Sequence, residues 1–109
     1  MQGALASVHN ILLAQGLVFQ ALKSTDKNIK LSTAFNTTIS YAASNEPEDI
    51  RAAQYQFGYQ TSMFTDPLYL GKYPEYMLKL FGNKMPKIQA NDIFLVFFKN
   101  NWYQKEIWD

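Results

Sequence analysis

Residues 29–35 alternate apolar or branched side chains with polar or small ones at the period of two that a half-buried strand requires. Ile29, Leu31, Thr33 and Phe35 fall on one face and Lys30, Ser32 and Ala34 on the other, with Asn28 and Asn36 as bounds. Stretches with the three-to-four spacing of helices lie on both sides. The order helix, strand, helix is that of an α/β protein.

Between residues 4 and 23, Leu5, Val8, Leu12, Phe19 and Leu22 recur at helical spacing, and Ala4, Ile11, Val18 and Ala21 widen the apolar stripe to most of the circumference. Such a helix is expected to be covered on more than one side. Residues 24–28, Ser-Thr-Asp-Lys-Asn, end it with turn chemistry.

After the strand, a loop from Asn36 to Ser44 leads into Asn45, Glu46, Pro47, Glu48 and Asp49. Asn45 and Glu48 have capping-box spacing, and Pro47 suits a first turn whose amides lack partners, which predicts a helix to about Thr61. Glu46, Glu48 and Asp49 stand at its positive end, each favourable by roughly 0.3 to 1 kcal/mol when exposed. Asp66-Pro67 and Gly71-Lys72-Tyr73-Pro74 read as turns, and Pro74 opens a short helix through Phe81 that Gly82 closes. The apolar run from Ile93 to Phe98 has the composition of a buried strand and is the most aggregation-prone window of the chain.

Composition narrows the function classes. With 48% hydrophobic and 17% charged residues the chain is built to bury surface. Ten Lys and Arg against nine Asp and Glu, with no basic stripe, exclude the electrostatic footprint of a nucleic-acid binder. The absence of cysteine removes disulfides, thiolate zinc sites and cysteine nucleophiles. His9, the only histidine, sits among Val8, Leu12 and Leu13 with no carboxylate at ligand spacing, so it is expected to be buried and hydrogen-bonded rather than a metal ligand or general base. No metal, cofactor or catalytic set can be assembled from these residues. The N-terminus lacks signal-peptide features, and the apolar stretch 11–22, interrupted by Gln15, Gly16 and Gln20, reads as too short and too polar to cross a bilayer, so no membrane partner is expected. A cytoplasmic location is compatible; the sequence sets neither compartment nor oligomeric state. Aromatic residues reach 16%, and such rings stack on sugars but more commonly fill cores.

Four ordered segments resemble the middle of glycoside hydrolase family 1. They are Val8-His9-Asn10-Ile11-Leu12-Leu13-Ala14, the strand 29–35 with its terminal Asn36, the stretch from Ala43 to Ala53, and Asp66-Pro67 with Gly71-Lys72-Tyr73-Pro74, continued by Met85-Pro86-Lys87. The resemblance implies a (β/α)₈ TIM barrel, β-linked sugars as substrates, and retaining hydrolysis through a covalent glycosyl-enzyme intermediate. Since eight βα units take roughly 250 residues, this chain would hold a helix-strand-helix part of one and no closed fold by itself. Residues 1–93 are then read as a fragment of the catalytic barrel and 94–109 as a divergent tail. Other departures are Ala14-Gln15-Gly16, where the family often has Ala-His-Ala, and residues 60–64, which lack its usual Trp.

Retention needs two carboxyl groups roughly 5 to 5.5 Å apart, one acid/base and one nucleophile. The resemblance puts the family's pair outside this chain, so no catalytic residue is assigned and the chain alone is expected to be inactive. Asn45-Glu46-Pro47 spells the family's acid/base tripeptide but aligns with a helix start, so Glu46 is read as a decoy. Asn36, at the C-terminal end of a barrel strand, is the candidate substrate-binding residue; it also begins the sequon Asn36-Thr37-Thr38. Tyr69, Tyr73 and Tyr76 are expected to pack a loop and a short helix onto the barrel's outside. The alternative is a small non-enzymatic α+β module that binds carbohydrate or protein through its aromatic residues.

Overall fold

The structure, a computed structural model, describes residues 1–92. Its elements are α1 (Gln2–Thr25), α2 (Pro47–Phe57), a π-helical turn (Gly58–Ser62), α3 (Met63–Tyr69), α4 (Glu75–Phe81) and a 3₁₀ turn (Gly82–Lys84). The run expected as a second strand, 93–98, lies outside the described residues.

In α1 one stripe is buried: Leu5, His9, Leu12, Gly16, Phe19 and Lys23, at alternating spacings of four and three. The expectation of cover on more than one side is not met among the described residues, because Ile11, Leu17 and Val18 remain about half exposed. By length and composition α1 would be long and apolar enough to cross a membrane, which corrects the reading of its inner stretch alone. Its buried stripe carries His9 and Lys23, however, and both are hydrogen-bonded to protein. That is the pattern of a packed helix. At its end, the Asp26 carboxylate accepts the Asn28 amide at 2.9 Å and turns the chain.

No strand forms among the described residues, so the strand expected at 29–35 is absent as a hydrogen-bonded element. A strand needs a ladder partner, and no other described segment pairs as a strand. The underlying pattern survives: Ile29, Leu31, Thr33 and Phe35 are half-buried while Lys30, Ser32 and Ala34 are exposed. Leu31 and Phe35 pack on the core, Gln15 donates to Thr33 Oγ1, and buried Lys23 donates from Nζ to the Ile29 carbonyl.

Further along, α2, the π turn and α3 run on as one helical stretch past Thr61, where the helix was expected to end. Pro47 takes the first helical position, which makes Glu46 the N-cap and leaves Asn45 one residue too early for the capping box. Ser44 serves the start instead, accepting the Glu46 amide at 3.1 Å and donating to Asp49 Oδ2 at 2.6 Å. Pro67 lies inside α3 rather than in a turn. Pro67 removes one amide from the last turn, which the Leu70 amide still closes by donating to the Asp66 carbonyl at 2.8 Å. The expected short helix holds: Pro74 caps α4, and Gly82 ends it at φ +54°, a conformation that favours glycine.

One core joins Leu5, Leu12 and Phe19 of α1 to Met63 and Leu68 of α3, Tyr73, and Met77 and Phe81 of α4. α2 buries no residue, although α4 crosses close to its end at Gly58. The wide π turn carries Thr61 and Ser62 into the interior, where the Thr61 hydroxyl donates to the Thr38 carbonyl at 3.4 Å and Tyr76 donates to Ser62 Oγ at 3.2 Å.

Candidate functional site

Asn36 follows the half-buried segment and is exposed. It lines a cavity of about 280 Å³ with Ile11 and Gln15 of α1, Phe35, Gln60 and Phe64. The Gln15–Thr33 hydrogen bond fixes this segment to α1, and the Thr61–Thr38 bond fixes the chain just beyond Asn36 to the π turn. Asn36 is thus held from both sides in sequence.

Glu46 is elsewhere. It caps α2 from an exposed position, flanked by Glu48 and Asp49 in the first turn, and is not among the residues around the Asn36 cavity. The helix dipole and the Ser44 contacts account for this acidic cluster. No group of three metal-ligating side chains exists among the described residues.

His9 is buried as expected, but a carboxylate does reach it. Its Nδ1 lies 2.8 Å from the Tyr73 hydroxyl and its Nε2 3.0 Å from Asp92 Oδ2. Hydrogen bonds from His9 and then from the Gln89 amide hold the Asp92 carboxyl below the usual carboxylate range. Burial, reinforced by the Asp92 charge, pushes the Tyr73 phenol far up, so it stays protonated. These partners assign the roles: Nε2–H donates to Asp92, and the Tyr73 O–H donates to Nδ1. The set has the order carboxylate, imidazole, hydroxyl, yet Tyr73 is 3% exposed and held protonated, so it joins α1 to the segments around 73 and 92 and offers no nucleophile. Local spacing could not reveal it, since His9 and Asp92 are 83 residues apart.

Of the other tyrosines, Tyr73 is core and Tyr69 packs against it, as expected. Tyr76 is partly exposed and lines a wider groove of about 700 Å³ with Ile39, Tyr41, Ile50 and Phe57. Burial raises the Asp66 carboxyl at the end of α3's first turn, and a hydrogen bond from Thr65 partly offsets this.

The sequence model of glycosyl hydrolase family 1 matches residues 1–105, and the chain belongs to that family. It is 30% identical over 103 residues to a β-glucosidase of Agrobacterium sp., an alignment covering 94% of this chain and 22% of the relative. Among solved structures, virulence factor SghA of Agrobacterium tumefaciens superposes with a TM-score of 0.81 at 31% identity, over 88% of this chain and 21% of that one. A β-glucosidase of Exiguobacterium marinum superposes with a TM-score of 0.69 at 29% identity, over 85% of this chain and 22% of that one. The chain therefore spans about a fifth of the length of these relatives, which are TIM-barrel enzymes. SghA has also been solved with its substrate analogue salicin.

Proposed function

We propose that this chain is a scaffold segment of a retaining β-glycosidase barrel, that it presents Asn36 to a β-glucoside, and that it carries neither the acid/base nor the nucleophile. The family match over residues 1–105 is the observation that supports this most directly. The position of Glu46 supports the second half. Retention requires two carboxyls facing one glycosidic bond across roughly 5 to 5.5 Å, whereas Glu46 caps an exposed helix beside Ser44 and the first-turn acids Glu48 and Asp49. In this reading the alternating residues 29–35 are a barrel strand whose neighbours lie in the longer relatives' remaining sequence, and Asn36 sits at its C-terminal end, where barrel enzymes keep their pockets.

Two assays test it. The 109-residue chain, given an aryl β-glucoside, turns over nothing above background; turnover with a covalent sugar adduct on Glu46 or Glu48 would overturn the reading. In a chimera that carries residues 1–105 in place of the homologous stretch of the Agrobacterium sp. β-glucosidase, Asn36→Ala lowers kcat/KM by about tenfold, the cost expected for one lost polar contact. Glu46→Gln leaves it within about twofold.

A further inference from the structure

Asn36 lies between two side-chain hydrogen bonds that come from different elements. Three residues before it, Thr33 Oγ1 accepts from Gln15 Nε2 of α1; two residues after it, the Thr38 carbonyl accepts from the Thr61 hydroxyl of the π turn at 3.4 Å. Gln15, Thr33, Asn36 and Thr61 line one cavity. At roughly 3.3 Å per residue, both anchors stand within about 10 Å of Asn36 along the chain, which leaves the span between them little slack. Both bonds are made within the described residues.

The Gln15 bond sets the face. Side chains of an extended segment alternate between two faces, and a slip by one residue turns every one of them over. Thr33 and Phe35 are half-buried on the side that meets α1 and the core, whereas Ala34 and Asn36 are exposed. With Thr33 fixed to Gln15, Asn36 falls on the side away from α1. The Thr61 bond sets the far end. α2 buries no residue, but the π turn after it buries Gly58, Thr61 and Ser62, and this widened turn carries the Thr61 hydroxyl to the Thr38 carbonyl.

We propose that Gln15 and Thr61 are positioning residues of the glycosidase reaction: they act through Asn36, locking the register and face from which it meets the β-glucoside, and not on the sugar itself. This rests on the substrate contact proposed for Asn36. A misplacement of about 1 Å at such a group costs up to about a hundredfold in rate, so slack at either anchor is felt as lost activity while the fold is kept.

In the chimera with the Agrobacterium sp. β-glucosidase, Gln15→Leu and Thr61→Val each lower kcat/KM by about three- to tenfold, the range of one lost hydrogen bond, with the thermal midpoint little changed. Thr61→Ser keeps the donor and recovers most of the loss. Action through Asn36 shows as non-additivity: on the Asn36→Ala background the same two substitutions cost less than about twofold more. In the 109-residue chain itself, ¹⁵N relaxation reads the same hold, as either substitution lowers the order parameter of the Asn36 amide below about 0.6 and leaves those of α4 unchanged. Losses that add in full to that of Asn36→Ala, a Thr61→Ser chimera as slow as Thr61→Val, or an unmoved Asn36 order parameter would each overturn the proposal. A slow Asn36→Ala chimera beside fully active Gln15→Leu and Thr61→Val ones sinks the positioning role alone, whereas a fully active Asn36→Ala chimera sinks the substrate contact and this role with it.

Discussion

Gly58 makes a sharp test of the core because two effects of known sign oppose each other there. Its backbone is ordinary right-handed helix, φ −59° and ψ −47°, so glycine is not needed for conformation. By propensity alone Gly58→Ala would stabilise by up to about 1 kcal/mol. The space is taken, however: an added Cβ would lie 2.7 Å from Met77 Cγ and 2.9 Å from Tyr76 Cε2. Met77 is 0% exposed within the central cluster, so its side chain has no room to withdraw. Overpacking of this kind costs about 1 to 3 kcal/mol, which outweighs the gain and leaves a net loss of about 1 kcal/mol. Urea titrations followed by far-UV circular dichroism read this as a lowered midpoint. The decisive experiment is the cycle with Met77→Ala, itself costing about 2 to 5 kcal/mol: once the obstruction is gone, Gly58→Ala becomes neutral or stabilising, with a coupling of about 1 to 3 kcal/mol. A raised midpoint for Gly58→Ala with Met77 intact would refute the close approach of α4 to the π turn.

Other outcomes follow from the same structure. Leu12→Ala removes a side chain with 0% exposure from the middle of the core and lowers stability by about 2 to 5 kcal/mol in the same titration. Asp92 has a folded pKa below its ordinary 3.8, so its contribution is fully present above that value and is lost as pH falls through the folded one. Asp92→Asn should therefore flatten the dependence of stability on pH below about 4; an unchanged acid limb would remove the His9 contact from the account. Asp66 has the opposite sign: its folded pKa is raised, so its penalty is absent below 3.8 and grows as pH rises through the folded value. Asp66→Asn then stabilises at neutral pH and has less effect near pH 3, which paired thermal melts will show.

Much of this protein could be read from residue order alone. α1, α4 and its closing Gly82, the burial of His9, and the family all follow from side-chain period, turn residues and ordered motifs, because these are local properties that each stretch carries with it. The alternation at 29–35 was equally legible, and its burial follows it. What became of the other features depended on neighbours, some adjacent and some distant. A ladder exists only when a second strand lies alongside, so residues 29–35 form no strand among the described residues. The capping box failed because Pro47 fixed the helix start one residue later, and Asp66-Pro67 became helical where packing of Leu68 and Met63 outweighed one lost amide bond. The Asp92–His9–Tyr73 contact and the crowding at Gly58 join residues far apart in sequence, and only the closed tertiary packing brings their atoms within reach.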